Sequence, residues 1–370
     1  MKIICNRIEL LEALMGVSKA VSAKSTIPAL EGILLQFSGT IMTLTAYDLE
    51  LSITTTISAE IEDPFDIVIN AKLFIDMVRK MESESVTLQV GNDLRTVVRG
   101  GNSRFSMLSI QASDFPELSY PEEESRLSIP GNILKEMIDK TLYAVSNNNQ
   151  KPVHTGTKFI IENDTLTLVS VDGFRLAMCK KEGLSFDTYM SFVVPARTLA
   201  EISHLTGDVE DKIEISMARR YAVFNLPGYK LMTRLLEGDF LDYTKSIPEN
   251  NKTRIRIVVQ PFFDSVERAS LIITDRFKSP LRMRFENGCV NISCSTPQGN
   301  ANEVVDCMIE GDDIEIGFNN KYIMDALRYS GCEELFLEMS TSITPVKILP
   351  VESTCDFLYL ILPVRIKAGE

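Results

Sequence analysis

Two histidines, His154 and His204, and seven cysteines are the residues of this 370-residue chain best suited to nucleophilic, acid–base or metal chemistry. A nucleophile–base pair would have to use one of the two histidines. His204 falls in a predicted helix and reads as a surface or half-buried residue without a chemical role. No cysteines are spaced C-x-x-C, and a zinc site would need more ligands than these. Cys289 and Cys294 share a predicted strand, but their odd spacing points them to opposite faces. Seven thiols without a regular framework read as reduced and mostly core. There is no G-x-x-x-x-G-K-[ST] loop and no G-x-S-x-G elbow. Gly100 and Gly101 lie between two predicted strands instead of opening a helix, which argues against a dinucleotide site. The acidic run Glu122, Glu123, Glu124 reads as a solvated linker. The expectation is no catalytic residue, no metal and no cofactor.

Three cations stand out by position instead. Lys72, Arg197 and Lys321 each fall in the first turn of a predicted helix, where a positive charge opposes the helix dipole at about 0.3–1 kcal/mol. Stability does not explain one such residue three times over. An external anion does, and so does plain descent from a common ancestor with the residues merely solvated.

The elements that carry those cations recur. SGTIMTLTAYD (38–48), IENDTLTLVSVDGFRLA (161–177) and ENGCVNISCST (286–296) each read as a turn followed by alternating apolar residues. Leu44, Leu168 and Ile292 are spaced 124 residues apart without gaps. That period is a domain length, far beyond a solenoid unit. Around each copy the order repeats. An amphipathic helix leads, with Leu10, Leu14, Val17 and Val21 at helical spacing in the first copy. Strands follow, then the helix bearing the cation, then more strands. Runs such as EVVDCMIE read as single strands. The expected fold class is α+β: three tandem copies of one domain, each with two helices packed on antiparallel sheets. The expected domains are 1–125, 126–250 and 251–370.

With 45% hydrophobic residues there is apolar material for three cores, and 24% charge is ordinary. No stretch has the length of a membrane span or the pattern of a signal peptide, so the expectation is cytoplasmic with no membrane partner. A net charge of −13 speaks against conventional nucleic-acid binding, which depends on neutralising phosphates.

VSVDGFRLA (169–177), RLLEGDFLDYTKSIP (234–248), RFSMLSIQASDFPEL (104–118), FNNKYIMDAL (318–327) and LILPVRI (360–366) together resemble the bacterial DNA polymerase III β subunits, the replicative sliding clamps. Their order and spacing span all three repeats. The resemblance implies a DNA-clamp ring: a head-to-tail homodimer of six domains that encircles duplex DNA without sequence specificity and confers processivity. Geometry agrees with the count. A 124-residue domain is a globule about 35 Å across; six of them in a circle leave a hole of about 35 Å, and three leave only about 5–6 Å. A duplex needs about 20 Å. Enclosure also removes the charge objection, because dense phosphate contacts would act as a brake on sliding. The expected DNA-facing residues are Lys24, Lys72, Gln150, Lys151, Arg197, Lys278 and Lys321. Lys24 and Gln150 rest on the resemblance, the others on their helix position.

The resemblance also implies a cleft for a short Gln-Leu-Phe type peptide from the DNA polymerase III α subunit, the clamp loader, other polymerases and repair proteins. By matching motif its wall would be His154, Val171, Gly173, Phe174, Arg175, Leu176, Leu241, Lys245, Ser246, Leu360, Ile361, Leu362, Pro363, Val364 and Arg365. Strand alternation lets LILPV send one face into a core and the other into a cleft. Three positions depart from the family pattern: His154 replaces an aliphatic residue, Phe174 a histidine and Leu241 a proline. The dimer seam implied is Phe105 and Met107 on one strand, with Leu271 and Ile272 on a helix segment; domain core is the competing reading of all four. Two rival functions stand beside the clamp, an enzyme of unrecognised type and a β-rich scaffold that never meets DNA. Neither predicts a protein retained on nicked circular DNA and lost when the circle is cut.

Overall fold

The computed structural model describes residues 2–62, 64–118, 125–184, 189–207 and 210–366. Glu122, Glu123 and Glu124 lie outside the described residues. Among those described, the α-helices come in three pairs: α1 (Arg7–Val17) and α2 (Ala71–Lys80), α3 (Gly131–Leu142) and α4 (Ala196–Thr206), α5 (Val259–Ser270) and α6 (Asn320–Ser330). The repeat is plain in the strands. Leu44, Leu168 and Ile292 are all buried, in strands Ile41–Tyr47, Thr165–Val171 and Cys289–Thr296. The next strand starts at Leu51, Arg175 and Gly299, again 124 residues apart.

Local chemistry sets the helix ends. The Asn6 side chain accepts from the N–H groups of Ile8 and Glu9, supplying two of the bonds that the first turn of α1 lacks. Leu10, Ala13, Leu14 and Val17 form its buried stripe. Val21, expected on that stripe, lies beyond the helix in extended backbone. Ser18 donates its hydroxyl to the Met15 carbonyl at 2.8 Å, the local bonding that competes with helix propagation. A second difference is that short strands lead into helices at five places where the sequence reading set none. Lys2–Asn6, Ser125–Pro130, Met190–Pro195, Thr253–Val258 and Ile314–Phe318 fill that role ahead of α1, α3, α4, α5 and α6. EVVDCMIE is not one strand: it divides at Cys307, and its two parts, within Gly299–Asp306 and Met308–Glu310, join different sheets. The stretch ASDFPELSYPEEE (112–124) reads in the sequence as a linker, but its described part is anchored, since Phe115 is buried with Ala29, Leu30, Leu34 and Val68.

The chain packs as two compact units, residues 1–132 with 201–235, and residues 133–200 with 236–370. The first contains a 13-stranded antiparallel sheet; the second contains a nine-stranded and a four-stranded sheet. These units are not the sequence repeats, because the strands of the middle repeat are shared out between them. In the first unit, Tyr229–Arg234, the last strand of the middle repeat, pairs with Leu51–Glu62 of the first repeat. In the second unit, Asp356–Ile361, the last strand of the third repeat, pairs in the same way with Arg175–Lys181 of the middle repeat. The last strand of one repeat therefore completes the sheet of the repeat before it. Two strands in the equivalent roles are paired on one side only among the described residues: Ser103–Leu108, bonded to Arg95–Gly100, and Gly299–Asp306, bonded to Cys289–Thr296.

Candidate functional site

The cleft is built from a tight turn between two strands of the middle repeat. Gly173 has φ +92°, a conformation that favours glycine, and reverses the chain between Thr165–Val171 and Arg175–Lys181. Asp172 holds the turn by accepting from the N–H groups of Phe174 at 2.9 Å and Arg175 at 3.0 Å. Beyond the strand Asp356–Ile361, the Leu362 N–H donates to the Phe174 carbonyl at 2.9 Å and brings the tail over the turn. Val169, Val171, Leu176 and Leu360 form a buried apolar floor, with Phe240, Tyr243 and Ile247 packed against it. The concavity above it holds about 80 Å³. Its rim exposes Phe174, at 59%, together with Leu241 and Leu362. Exposed apolar groups around a shaped floor mark a surface that binds something.

Nine of the fifteen expected wall residues line this concavity: Val171, Gly173, Phe174, Arg175, Leu176, Leu241, Ser246, Leu360 and Leu362. Pro345, which the sequence reading missed, lines it too. The other six do not. Ile361 is buried on the opposite face, as strand alternation requires once Leu360 faces the cleft. Val364 forms a β-bridge with Gly317, and Arg365 lines a separate cavity. Pro363, like Val364 and Arg365, is absent from the lining. Lys245 points into solvent and pairs with Asp242 at 2.9 Å. His154 stands against the Phe240 ring, 5.4 Å between centroids, with Nε2 buried and without a hydrogen-bond partner. Burial, then the nearby Lys151 charge, lowers its pKa, so the imidazole stays neutral at neutral pH.

Arg175 lines the concavity and also anchors the turn. Its guanidinium donates to Asp172 Oδ2 at 2.9 Å, Asp325 Oδ2 at 2.6 Å and the Tyr143 carbonyl at 2.7 Å. The rings of Tyr143 and Tyr322 lie 5.3 and 4.7 Å from it. Burial works against its charge, but hydrogen bonding to Asp325 and the charges of Asp172 and Asp325 prevail and raise its pKa. Phe174 stacks on Tyr322 with centroids 6.3 Å apart, so α6 supports the exposed rim. Tyr143, Tyr322 and Asp325 left no sequence signal beyond the FNNKYIMDAL motif, because their role comes from long-range packing.

Lys72, Arg197 and Lys321 are each the second residue of α2, α4 and α6 and are exposed. Lys24, Gln150, Lys151 and Lys278 are exposed in loops that follow the first helix of each pair. Of the seam residues, Leu271 is 76% exposed and Phe105 and Ile272 are half-buried, whereas Met107 is buried. Leu271 and Ile272 lie just past α5, not inside it. Alternation along Ser103–Leu108 turns Met107 inward and leaves Leu108 73% exposed; on Gly299–Asp306 it exposes Val304 at 63%. Sequence reasoning missed both, since the outward face of a strand is known only once its inward face is.

The family models for the DNA polymerase III beta subunit match the chain in order: the N-terminal domain over residues 1–119, the central domain over 128–242 and the C-terminal domain over 244–365. The beta sliding clamp of Bacillus subtilis is 30% identical over 99% of this chain and 100% of its own length. That of Halalkalibacterium halodurans is 31% identical over 94% and 95%. A crystal structure described as a putative DNA polymerase III beta subunit from Eubacterium rectale superposes with a TM-score of 0.92 at 32% identity, covering 98% of this chain and 99% of that one. With matches to all three domain models, near-complete coverage and the same fold, this chain belongs to the DNA polymerase III beta subunit family, the beta sliding clamps.

Proposed function

We propose that two copies of this sliding clamp close head to tail into a ring around duplex DNA and tether a polymerase to it. The observation that carries the reading is the pair of one-sided strands. Within the chain, Tyr229–Arg234 adds to Leu51–Glu62 and Asp356–Ile361 adds to Arg175–Lys181. The same rule applied once more joins Ser103–Leu108 of one copy to Gly299–Asp306 of another. Two such joints satisfy both copies and leave neither of these two edges open, a closed arrangement of the kind that ends assembly at a dimer. Leu108 and Val304 supply exposed apolar side chains on those edges, and the exposed Leu271 and half-buried Phe105 are the further candidates for the seam. Residues 1–125, 126–250 and 251–370 are then the three clamp domains of each copy.

The clamp in this reading is a non-catalytic cytoplasmic processivity factor. Lys24, Lys72, Gln150, Lys151, Arg197, Lys278 and Lys321 face the duplex, and with a chain net charge of −13 the surface outside them is acidic and does not bind DNA. The cleft around Phe174 and Leu360 receives the Gln-Leu-Phe type peptide of the DNA polymerase III α subunit, the clamp loader, other polymerases and repair proteins. Loading onto nicked circular DNA tests the whole. Retention on the circle with release on linearisation is expected; equal retention on both, or none on either, overturns the ring. Leu108→Asp is expected to halve the mass in light scattering, and an unchanged mass rejects the seam.

A further inference from the structure

We infer that the third repeat carries a second docking site, one that takes an acidic stretch of polypeptide. A cavity of about 850 Å³ opens on one face of the four-stranded sheet, under the loop that follows α5. Arg276, Lys278, Arg282 and Arg365 line it, Lys278 being also one of the residues proposed to face the duplex, and among the described residues no carboxylate does. In a chain of net charge −13 such segregation of cations is unexpected by composition. Of the four, Arg282 is paired, with Glu315 at 3.2 Å.

Its place in the repeat identifies it. In the middle repeat the cleft floor is a cross-strand ladder in which Lys158 opposes Val169, Val169 opposes Met178, and Val171 opposes Leu176. The third repeat has the same ladder 124 residues later: Arg282 opposes Ser293, Ser293 opposes Asn302, and Ser295 opposes Asn300. Every apolar member has become a hydroxyl or an amide. In the first repeat the corresponding place, around Leu34 and Tyr47, is filled by the chain's own Phe115 and Leu118. Among the described residues, the third repeat's site is therefore the open counterpart of the cleft, with its apolar floor exchanged for hydrogen-bond donors and its rim for cations.

Those groups recognise carboxylates, through the guanidinium forks and through hydroxyl and amide donors. A cavity of this size admits a slender ligand but not the convex face of a duplex about 20 Å wide. The choice of polypeptide over a single nucleic-acid strand rests on the client-cleft reading of the middle repeat, whose counterpart this is.

The test is fluorescence anisotropy on the full chain with three labelled probes: a peptide bearing six glutamates, a Gln-Leu-Phe client peptide and a short oligothymidine. Arg276→Glu and, separately, Ser295→Glu place a negative charge at exposed positions of the cavity. Each is expected to weaken the acidic peptide at least five-fold and to leave the client peptide unchanged, with wild-type affinity for the acidic peptide falling as salt rises. No binding of the acidic peptide to the wild-type chain, or equal binding to both variants, overturns the proposal. Loss confined to the oligothymidine also overturns it, in favour of a nucleic-acid site. Failure of the client peptide to bind the wild-type chain counts against the cleft reading, separately from the acidic site.

Discussion

Arg175 and Asp325 are joined by a 2.6 Å hydrogen bond that ties the cleft turn to α6, although 150 residues separate them in sequence. The same guanidinium holds Asp172, which holds Phe174, so the exposed rim of the cleft depends on an ion pair at its base. Asp325→Asn leaves a largely buried guanidinium with one charged partner fewer. Some exposure of Asp325 screens the loss, so about 1–2 kcal/mol of stability is the expected cost. The urea midpoint followed by circular dichroism measures it. Client-peptide affinity is expected to fall with it, and an unchanged affinity would separate the anchor from the rim.

The tail is the other support of that rim. Leu360 and Ile361 are buried in their strand, so trimming ahead of them strips core, whereas a chain ending at Ile361 loses Leu362 and its bond to the Phe174 carbonyl. That truncation is expected to lower client-peptide affinity at least ten-fold in calorimetry and to leave the sedimentation coefficient that of the untrimmed protein. Retained affinity would show that the floor alone binds the peptide.

His154 illustrates a cost confined to one atom. Its Nε2 is buried without a partner, and its lowered pKa means that the folded chain resists a proton the unfolded chain accepts. The unfolded state then binds more protons, so stability falls as pH drops through the ordinary histidine value of 6.5 toward the folded one. His154→Val removes both the orphan atom and the titration. It is expected to gain about 1 kcal/mol near neutral pH. The gain should widen as pH is lowered from 7 toward 5.5. A gap between the two proteins that stays constant with pH would contradict this.

Glu136 is also held below its ordinary value, but there the fold favours the charged form. Burial pushes its pKa up, but hydrogen bonds from Lys140, at 2.7 Å, and from Thr354 and the Lys140 charge outweigh it and hold the carboxyl below its ordinary 4.5. Its contribution is present above that value and is lost as pH falls below it. Glu136→Gln is expected to be less stable than the wild type at pH 7 and to converge with it in acid. A difference that persists under acid unfolding would assign the loss to packing.

How far the sequence carries is uneven for physical reasons. Leu44, Leu168 and Ile292 are legible because a buried alternating strand after a turn has a strong period, and 124-residue spacing compounds it. Strands such as Thr253–Val258 escape notice because TRIRIV mixes arginines into its outward face and runs into α5 with no turn residue between. In the cleft, the turn motif around Gly173 and the tail both announce themselves. The choice between Leu360 and Ile361, or Met107 and Leu108, does not, since a shift of one residue exchanges the faces of a strand and only the packed sheet decides it. Pairing between the last strand of one repeat and the sheet of another is likewise invisible, being a long-range choice among similar edges.

The cations at the second position of α2 and α6 allow stability and function to be set against each other. Lys72 and Lys321 oppose the dipole of the helix that bears them, so Lys72→Glu and Lys321→Glu replace an unfavourable charge by a favourable one. Each is expected to stabilise the fold by about 0.3–1 kcal/mol at low salt. If these residues face the duplex, the doubly substituted clamp nevertheless puts carboxylates near phosphates at both places in each copy. Its half-life on nicked circular DNA is then expected to shorten several-fold, with the effect shrinking as salt rises. Higher melting temperature with faster loss from DNA is the signature of residues kept for an anion outside the protein. Higher melting temperature with unchanged retention would leave the three cations as surface residues inherited from the ancestral repeat.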